Sequence, residues 1–249
     1  MEWTEEGIIL SVLRRGESSG VITLLTRERG KHAGLIRSLV DKSRRGVYQP
    51  GNLVHAEWRA RLEEHLGFYK CEMITAYSAP LLNDGDRLAG LSAACALVDS
   101  ALPEREDHPK LFGRFLDLLT YLSGPDWSAH YVAFELDLLS DLGFGLDLSH
   151  CAVTGDSRNL VYVSPKTGRA VSSEAGEPYK ERLLELPGFL TNRGLDSAAI
   201  TPEALNQGLR LTEFFLERHV FHPHGRKIPQ ARSRLVERLS NRLRTNAKS

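Results

Sequence analysis

The first 78 residues alternate between short apolar runs and polar breaks. GIILSVLRR from Gly7, GVITLLTRE from Gly20, KHAGLIRSL from Lys31, NLVHAEWRARL from Asn52 and GFYKCEMITAYS from Gly67 are each of strand length. Breaks containing Gly, Ser, Asp or Pro separate them, at the spacing of a small barrel. Five strands in this span predict an OB-type barrel over residues 1–78. That fold holds oligonucleotides in a groove, and it also serves as a plain structural module.

From Ala79 the apolar period becomes helical. RLAGLSAACALVDSAL follows a capping residue, Asp84. HPKLFGRFLDLLTYLSG places Leu111, Phe115, Leu118, Leu119 and Leu122 on one stripe, and WSAHYVAFELDLLSDLGFG does the same with Tyr131, Phe134, Leu138, Leu139 and Leu142. These stripes are core, and they define the first part of a helical domain, 79–150. The register breaks at Cys151. NLVYVS and RAVS read as two short strands around a PKTG turn, so 151–178 is a small β excursion. Helices resume over 179–245; the clearest is TPEALNQGLRLTEFFLERHVF, with Thr201 as cap, Pro202 at its first position and Pro223 ending it. The fold class is therefore α+β, a barrel followed by helices.

Charge changes this picture. The chain of 249 residues is neutral, yet Thr26–Pro50 holds seven cations (Arg27, Arg29, Lys31, Arg37, Lys42, Arg44, Arg45) against Glu28 and Asp41. Residues 79–150 carry 4 basic and 12 acidic groups, whereas 181–249 carry 12 and 7. A charge run is commonly a solvated face, but this one is punctuated by Gly30, Gly34 and Gly46 and lies between strands, on the loops and strand ends where function concentrates. Its sign points to a polyanion. The expected phosphate contacts are Arg27, Lys31, Arg37, Lys42, Arg44 and Arg45, joined by Arg226, Lys227, Arg232 and Arg234 near the carboxyl end. Tyr48, Trp58, Phe68 and Tyr69 lie near the first group; such rings either stack on bases or fill the barrel.

Other chemistry is weaker. Gly16–Gly20 matches G-x-S-x-G, but a strand follows it where a nucleophile elbow needs a helix, so it reads as a hairpin turn. His219, His222 and His224 are dense enough to suggest a metal, yet Pro223 breaks the frame between the second and third. No Walker A string and no complete G-x-G-x-x-G occurs. Cys71, Cys95 and Cys151 are far apart, without a C-x-x-C pair, and read as reduced thiols. No run approaches the 18 apolar residues of a membrane span, and the start MEWTEEGIIL is acidic where a secretory signal is basic, so a cytoplasmic location is expected.

These segments together resemble a known family. The opening from Gly7 to Val54, with Glu17, Thr26, the Gly30-Lys31 turn, Gly34, Ser43 and Pro50, is similar to the amino-terminal domain of RecO, the bacterial recombination mediator. YVAFELDLLSDLGFGLDLSHC resembles the helix leading into that family's zinc-binding insertion, and ARSRLVERL its last helix. The resemblance implies a non-enzymatic DNA repair protein. It would bind single- and double-stranded DNA, anneal complementary strands and, with RecR, assist RecA loading onto DNA coated by single-strand-binding protein in the RecF/RecR pathway. It further implies a nucleoid-associated location. The runner-up is an OB-fold interaction scaffold that binds only protein. One departure concerns the insertion: many members carry two C-x-x-C pairs there, and the corresponding positions are Cys151, Thr154, Ser172 and Ala175. One ligand in four cannot close a tetrahedral site, so a zinc-finger-like insertion without its metal is expected.

Overall fold

A computed structural model describes residues 1–37, 46–191 and 200–246, with side chains described as far as Asn241. Five strands, β1 (Glu2–Arg15), β2 (Ser19–Thr26), β3 (Gly30–Arg37), β4 (Leu53–Arg59) and β5 (Phe68–Thr75), close into a barrel in the order β1-β2-β3-β5-β4. Neighbours are antiparallel except β3 and β5, which meet in parallel at Leu35 and Phe68. This is the closure of a five-stranded OB fold.

The long β1 pairs with β4 over Glu2–Ile8 and with β2 over Gly7–Arg15, and a bulge between Ile9 and Ser11 lets it turn between them. It starts five residues before the apolar run. EWTEE is too polar to read as a strand, but Trp3 stacks on Trp58 inside the barrel while Glu2 and Glu6 face outward. Inward residues of every strand, among them Ile9, Ile22, Leu24, Ile36, Val54, Ala56 and Cys71, make the core. Within GESSG, Gly16–Ser18 make the β1–β2 hairpin turn, and Ser19 and Gly20 begin β2.

Asp84 caps α1 (Gly85–Ala101), its carboxylate accepting from the amides of Asp86 and Arg87. After α1 the chain returns to the barrel, where the Arg105 amide donates to the Lys31 carbonyl at 2.8 Å, and then forms α2 (Pro109–Tyr121). Gly30 makes this approach possible. Its φ is +57°, and a Cβ there would lie 1.6 Å from the Glu106 carbonyl oxygen.

Two compact bodies result: Met1–Ser123 with Pro229–Leu235, and Gly124–Ile228 with the remainder from Val236. In the second, α3 (Trp127–Asp141) carries buried Glu135, which accepts a hydrogen bond from the Thr212 hydroxyl of α6 (Pro202–Phe215). Between them lies the β excursion. Strands β6 (Leu160–Val163) and β7 (Ala170–Ser172) form where NLVYVS and RAVS were expected, and β8 (Leu184–Glu185) adds a third strand on the other edge of β6. Two short helices, α4 (Ser173–Gly176) and α5 (Gly188–Thr191), complete the segment. Thr201 caps α6 by accepting from the Ala204 amide. The helix widens into a π turn over Leu216–Phe221 and stops through His222–His224 at Gly225, φ 63°. The last helix, α7, spans Gln230–Asn246.

Candidate nucleic-acid interface

The basic run is divided by the geometry of β3. Lys31 stands near its first residue and Arg37 is its last, so six strand steps, about 20 Å, separate them. Lys31 lies at the end that meets α1, and its ammonium donates to the Asp99 carbonyl at 2.7 Å. Arg27, in the β2–β3 turn at that same end, is exposed, with its guanidinium 4.9 Å from the centre of the Phe112 ring on α2. Arg29 binds Glu5 at 3.2 Å and covers Trp3. Arg37, at the opposite end, is exposed and lies 4.4 Å over the Phe68 ring. Lys42, Arg44 and Arg45 lie outside the described residues.

Toward the carboxyl end Arg226 and Lys227 are exposed just after the Gly225 stop, and Arg234 is exposed on α7. Arg232 needs correction: it is fully buried, so it does not present its charge to a phosphate. Arg232, Leu235 and Leu239 follow the three- and four-residue steps of one helix face, and all three are buried while Ser233 and Arg234 face solvent. An arginine-rich sequence hides this stripe, because charge masks the apolar period.

The four rings separate as sharply. Tyr48, Trp58 and Tyr69 are core residues; Phe68 is 43% exposed. Trp58 and Tyr69 pack around His32, which sits edge-on to both and within 5.1 Å of Trp3. Strand alternation explains the outcome: Tyr69 and Cys71 point inward from β5, so Phe68 points out.

Pairing register then aligns residues that lie far apart in sequence. Leu13 of β1 pairs with Val21, Val21 with Leu35, and Leu35 with Phe68. One alternate step along, Arg15 pairs with Ser19 and Ser19 with Arg37. The outer face of the sheet thus carries an apolar row and, beside it, a row with arginine at both ends. Leu13 and Arg15 were absent from the expected site because only register brings them to it.

In the insertion, Cys151 is buried and its sulfur lies 3.3 Å from the Ser172 amide nitrogen and 3.5 Å from the Ser172 hydroxyl. Burial alone would raise the thiol pKa, but hydrogen bonds from the side chains and amides of Ser172 and Thr154 outweigh it and bring the pKa down to about 6. Three of the four positions matched to cysteines are thereby gathered at one point. In the same segment Leu160 and Val171 are buried, with Tyr162 partly so. Among the described residues, no group of three His, Cys, Asp or Glu side chains is arranged to hold a metal, the histidines near Pro223 included.

The barrel and the helices correspond to two matches with known families. The family described as Recombination protein O N terminal matches residues 1–77, and Recombination protein O C terminal matches residues 82–228. The chain belongs to the Recombination protein O family. A protein named DNA repair protein RecO from Rhodospirillum centenum is 50% identical over 240 residues, covering 96% of this chain and 94% of the relative. Its namesakes from Rhodospirillum rubrum and Methylobacterium nodulans are 44% and 46% identical, the first covering 96% of both chains and the second 95% of this chain and 97% of its own. No described helix is long and apolar enough to cross a membrane.

Proposed function

We infer that this chain is a DNA repair protein that binds single- and double-stranded DNA, anneals complementary strands and, with RecR, assists RecA loading onto DNA coated by single-strand-binding protein. The observation that carries the reading is the placement of exposed cations on the OB barrel (Arg27, Arg37) and again on the turn after α6 (Arg226, Lys227), in a chain of this family. Lys31, Arg234 and, from their sequence alone, Lys42, Arg44 and Arg45 belong to the same set. Neutralising phosphates on two strands reduces their mutual repulsion, so pairing accelerates without a catalytic residue. No covalent step is needed, and the expected location is the cytoplasm, with the nucleoid.

The acidic stretch 79–150 would repel DNA and suits protein contacts. For the acidic tail of single-strand-binding protein, the region around Arg210, Arg218 and Arg226 offers cations beside apolar surface. Arg218 lies over Phe214, and Phe144, 39% exposed, stacks on His219, which stacks in turn on Phe215.

Mobility-shift titration with an oligonucleotide at low salt tests the core of this reading, and strand annealing with and without single-strand-binding protein tests the rest. Binding that weakens as salt rises is expected. Absence of any shift at low salt would leave the protein-only scaffold.

A further inference from the structure

We propose that the outer face of β1, β2, β3 and β5 is a single-strand track in which an unpaired base stacks on Phe68 and the flanking phosphates meet Arg37 and Arg15. The proposal rests on the DNA-binding reading and deepens it, since it names the strand form and the group that reads it.

Phe68 combines three properties that no other described ring of the barrel has together. It is 43% exposed, it belongs to the apolar row Leu13–Val21–Leu35–Phe68, and a guanidinium already lies 4.4 Å over its ring. Leu13, at the far end of the row, is 56% exposed. A row of this kind on an outer sheet face costs solubility unless something covers it. The adjacent row, Arg15–Ser19–Arg37, identifies the cover by charge. A polymer with apolar faces on one side and regularly spaced anionic groups on the other is a nucleic-acid strand with unstacked bases. In a duplex the base faces are already stacked on each other, so the apolar row gains nothing from it. Arg59 also pairs with Phe68, but its guanidinium is held by Glu2 at 2.9 Å, so the two arginines of the adjacent row carry the argument.

The ring is also held in place. The β4–β5 connection that delivers it is fixed where it enters β5: Trp58 Nε1 donates to the Leu66 carbonyl at 3.0 Å and the Leu35 amide to the Gly67 carbonyl at 2.9 Å. Arg105, from the segment after α1, donates to the carbonyls of Glu63 and His65 at 2.7 and 3.2 Å. An exposed ring on a fastened strand end keeps its orientation without a ligand, which limits the ordering cost of binding.

The test compares wild type, Phe68→Ala and Phe68→Trp on a single-stranded oligonucleotide and on a duplex of the same length, each over a series of salt concentrations. Loss of one stacked base should weaken single-strand binding by Phe68→Ala between about 5-fold and 150-fold, with the salt slope unchanged because no counterion is involved. Duplex affinity should stay at the wild-type value, and Phe68→Trp should restore single-strand binding. An Arg15→Gln, Arg37→Gln variant should instead lower the single-strand slope by about 1.4. Equal losses on both DNA forms, or no loss on either, would overturn the stacking proposal while leaving DNA binding intact. Failure of wild type to bind any oligonucleotide would overturn the DNA-binding reading and this proposal with it. A thermal unfolding curve for Phe68→Ala that matches wild type shows that the loss is not one of folding.

Discussion

The Tyr69 hydroxyl and His32 Nδ1 lie 2.8 Å apart inside the barrel, a buried polar pair enclosed by Trp3 and Trp58. Burial, followed by the positive charges of Arg105 and Arg29, lowers the His32 pKa to about 4, and burial raises that of Tyr69 well above its ordinary value. The phenol therefore keeps its proton and the imidazole stays neutral, so the hydroxyl donates and Nδ1 accepts.

This pair makes the barrel acid-sensitive. The unfolded chain protonates His32 near its ordinary 6.5, whereas the folded chain resists until about 4. Stability contributed by the neutral ring is then fully present above 6.5 and falls as pH drops from 6.5 to 4, by at most about 3 kcal/mol. Urea unfolding at pH 7.5, 6, 5 and 4 should show this loss, and a His32→Gln variant should show a shallower dependence in the same window. Identical pH dependence in the two proteins would mean that the ring does not titrate this way.

Gly30 and the Glu106 carbonyl set a second test. A methyl at position 30 would overlap that oxygen and would also hold an L side chain at φ +57°. Gly30→Ala should cost more than about 1 kcal/mol for the backbone alone, with the overlap in addition. The loss should be local: hydrogen exchange at the Arg105 amide, which donates to Lys31, should accelerate most. By contrast Gly46, whose Cβ position meets nothing within 4 Å among the described residues, should accept alanine.

Much of this architecture was legible because local signals agreed with tertiary ones. The five strand-length runs, the Asp84 and Thr201 caps and the two strands around PKTG all appear where short-range chemistry places them. The polar start of β1 was not legible, since Glu2–Glu6 are ordered by pairing with β4 and by Trp3, not by their own pattern. The interface was legible only in part. Sequence shows which residues are cationic, but strand length separates Lys31 from Arg37, register puts Arg15 in one row with Arg37 across β2, and helix phase buries Arg232. None of these three relations is a property of a contiguous segment.

The two groups of carboxyl-terminal arginines should therefore behave in opposite ways. Arg226→Ala with Lys227→Ala removes two exposed cations and should lower the duplex salt slope by about 1.8 and the single-strand slope by about 1.4, with little change in stability. Arg232→Ala deletes a fully buried side chain and should destabilise the fold by about 2 kcal/mol or more, through lost packing, while leaving the salt slope of the folded protein unchanged. A reduced slope for Arg232→Ala would return that residue to the interface.

The insertion offers a test by restoration. The Cys151 sulfur and Ser172 oxygen, 3.5 Å apart, stand close to the separation of about 3.8 Å that two thiolates adopt on a tetrahedral zinc with bonds near 2.3 Å. Thr154 bonds to the same sulfur. Here hydrogen bonds hold a point that a metal would hold in a four-cysteine site, so the natural chain should carry no zinc by emission spectroscopy. One zinc per natural chain would contradict that account. The triple variant Thr154→Cys, Ser172→Cys, Ala175→Cys should take up one zinc per chain, and chelation should then loosen β6 and β7 in hydrogen exchange. Cys151→Ala in the natural chain should loosen the same strands, since the Ser172 amide, within 3.3 Å of the sulfur, would lose its acceptor at a cost of about 1–3 kcal/mol. Unchanged exchange at Ala170–Ser172 in that variant would show that the turns and apolar contacts of Leu160 and Val171 hold the insertion by themselves.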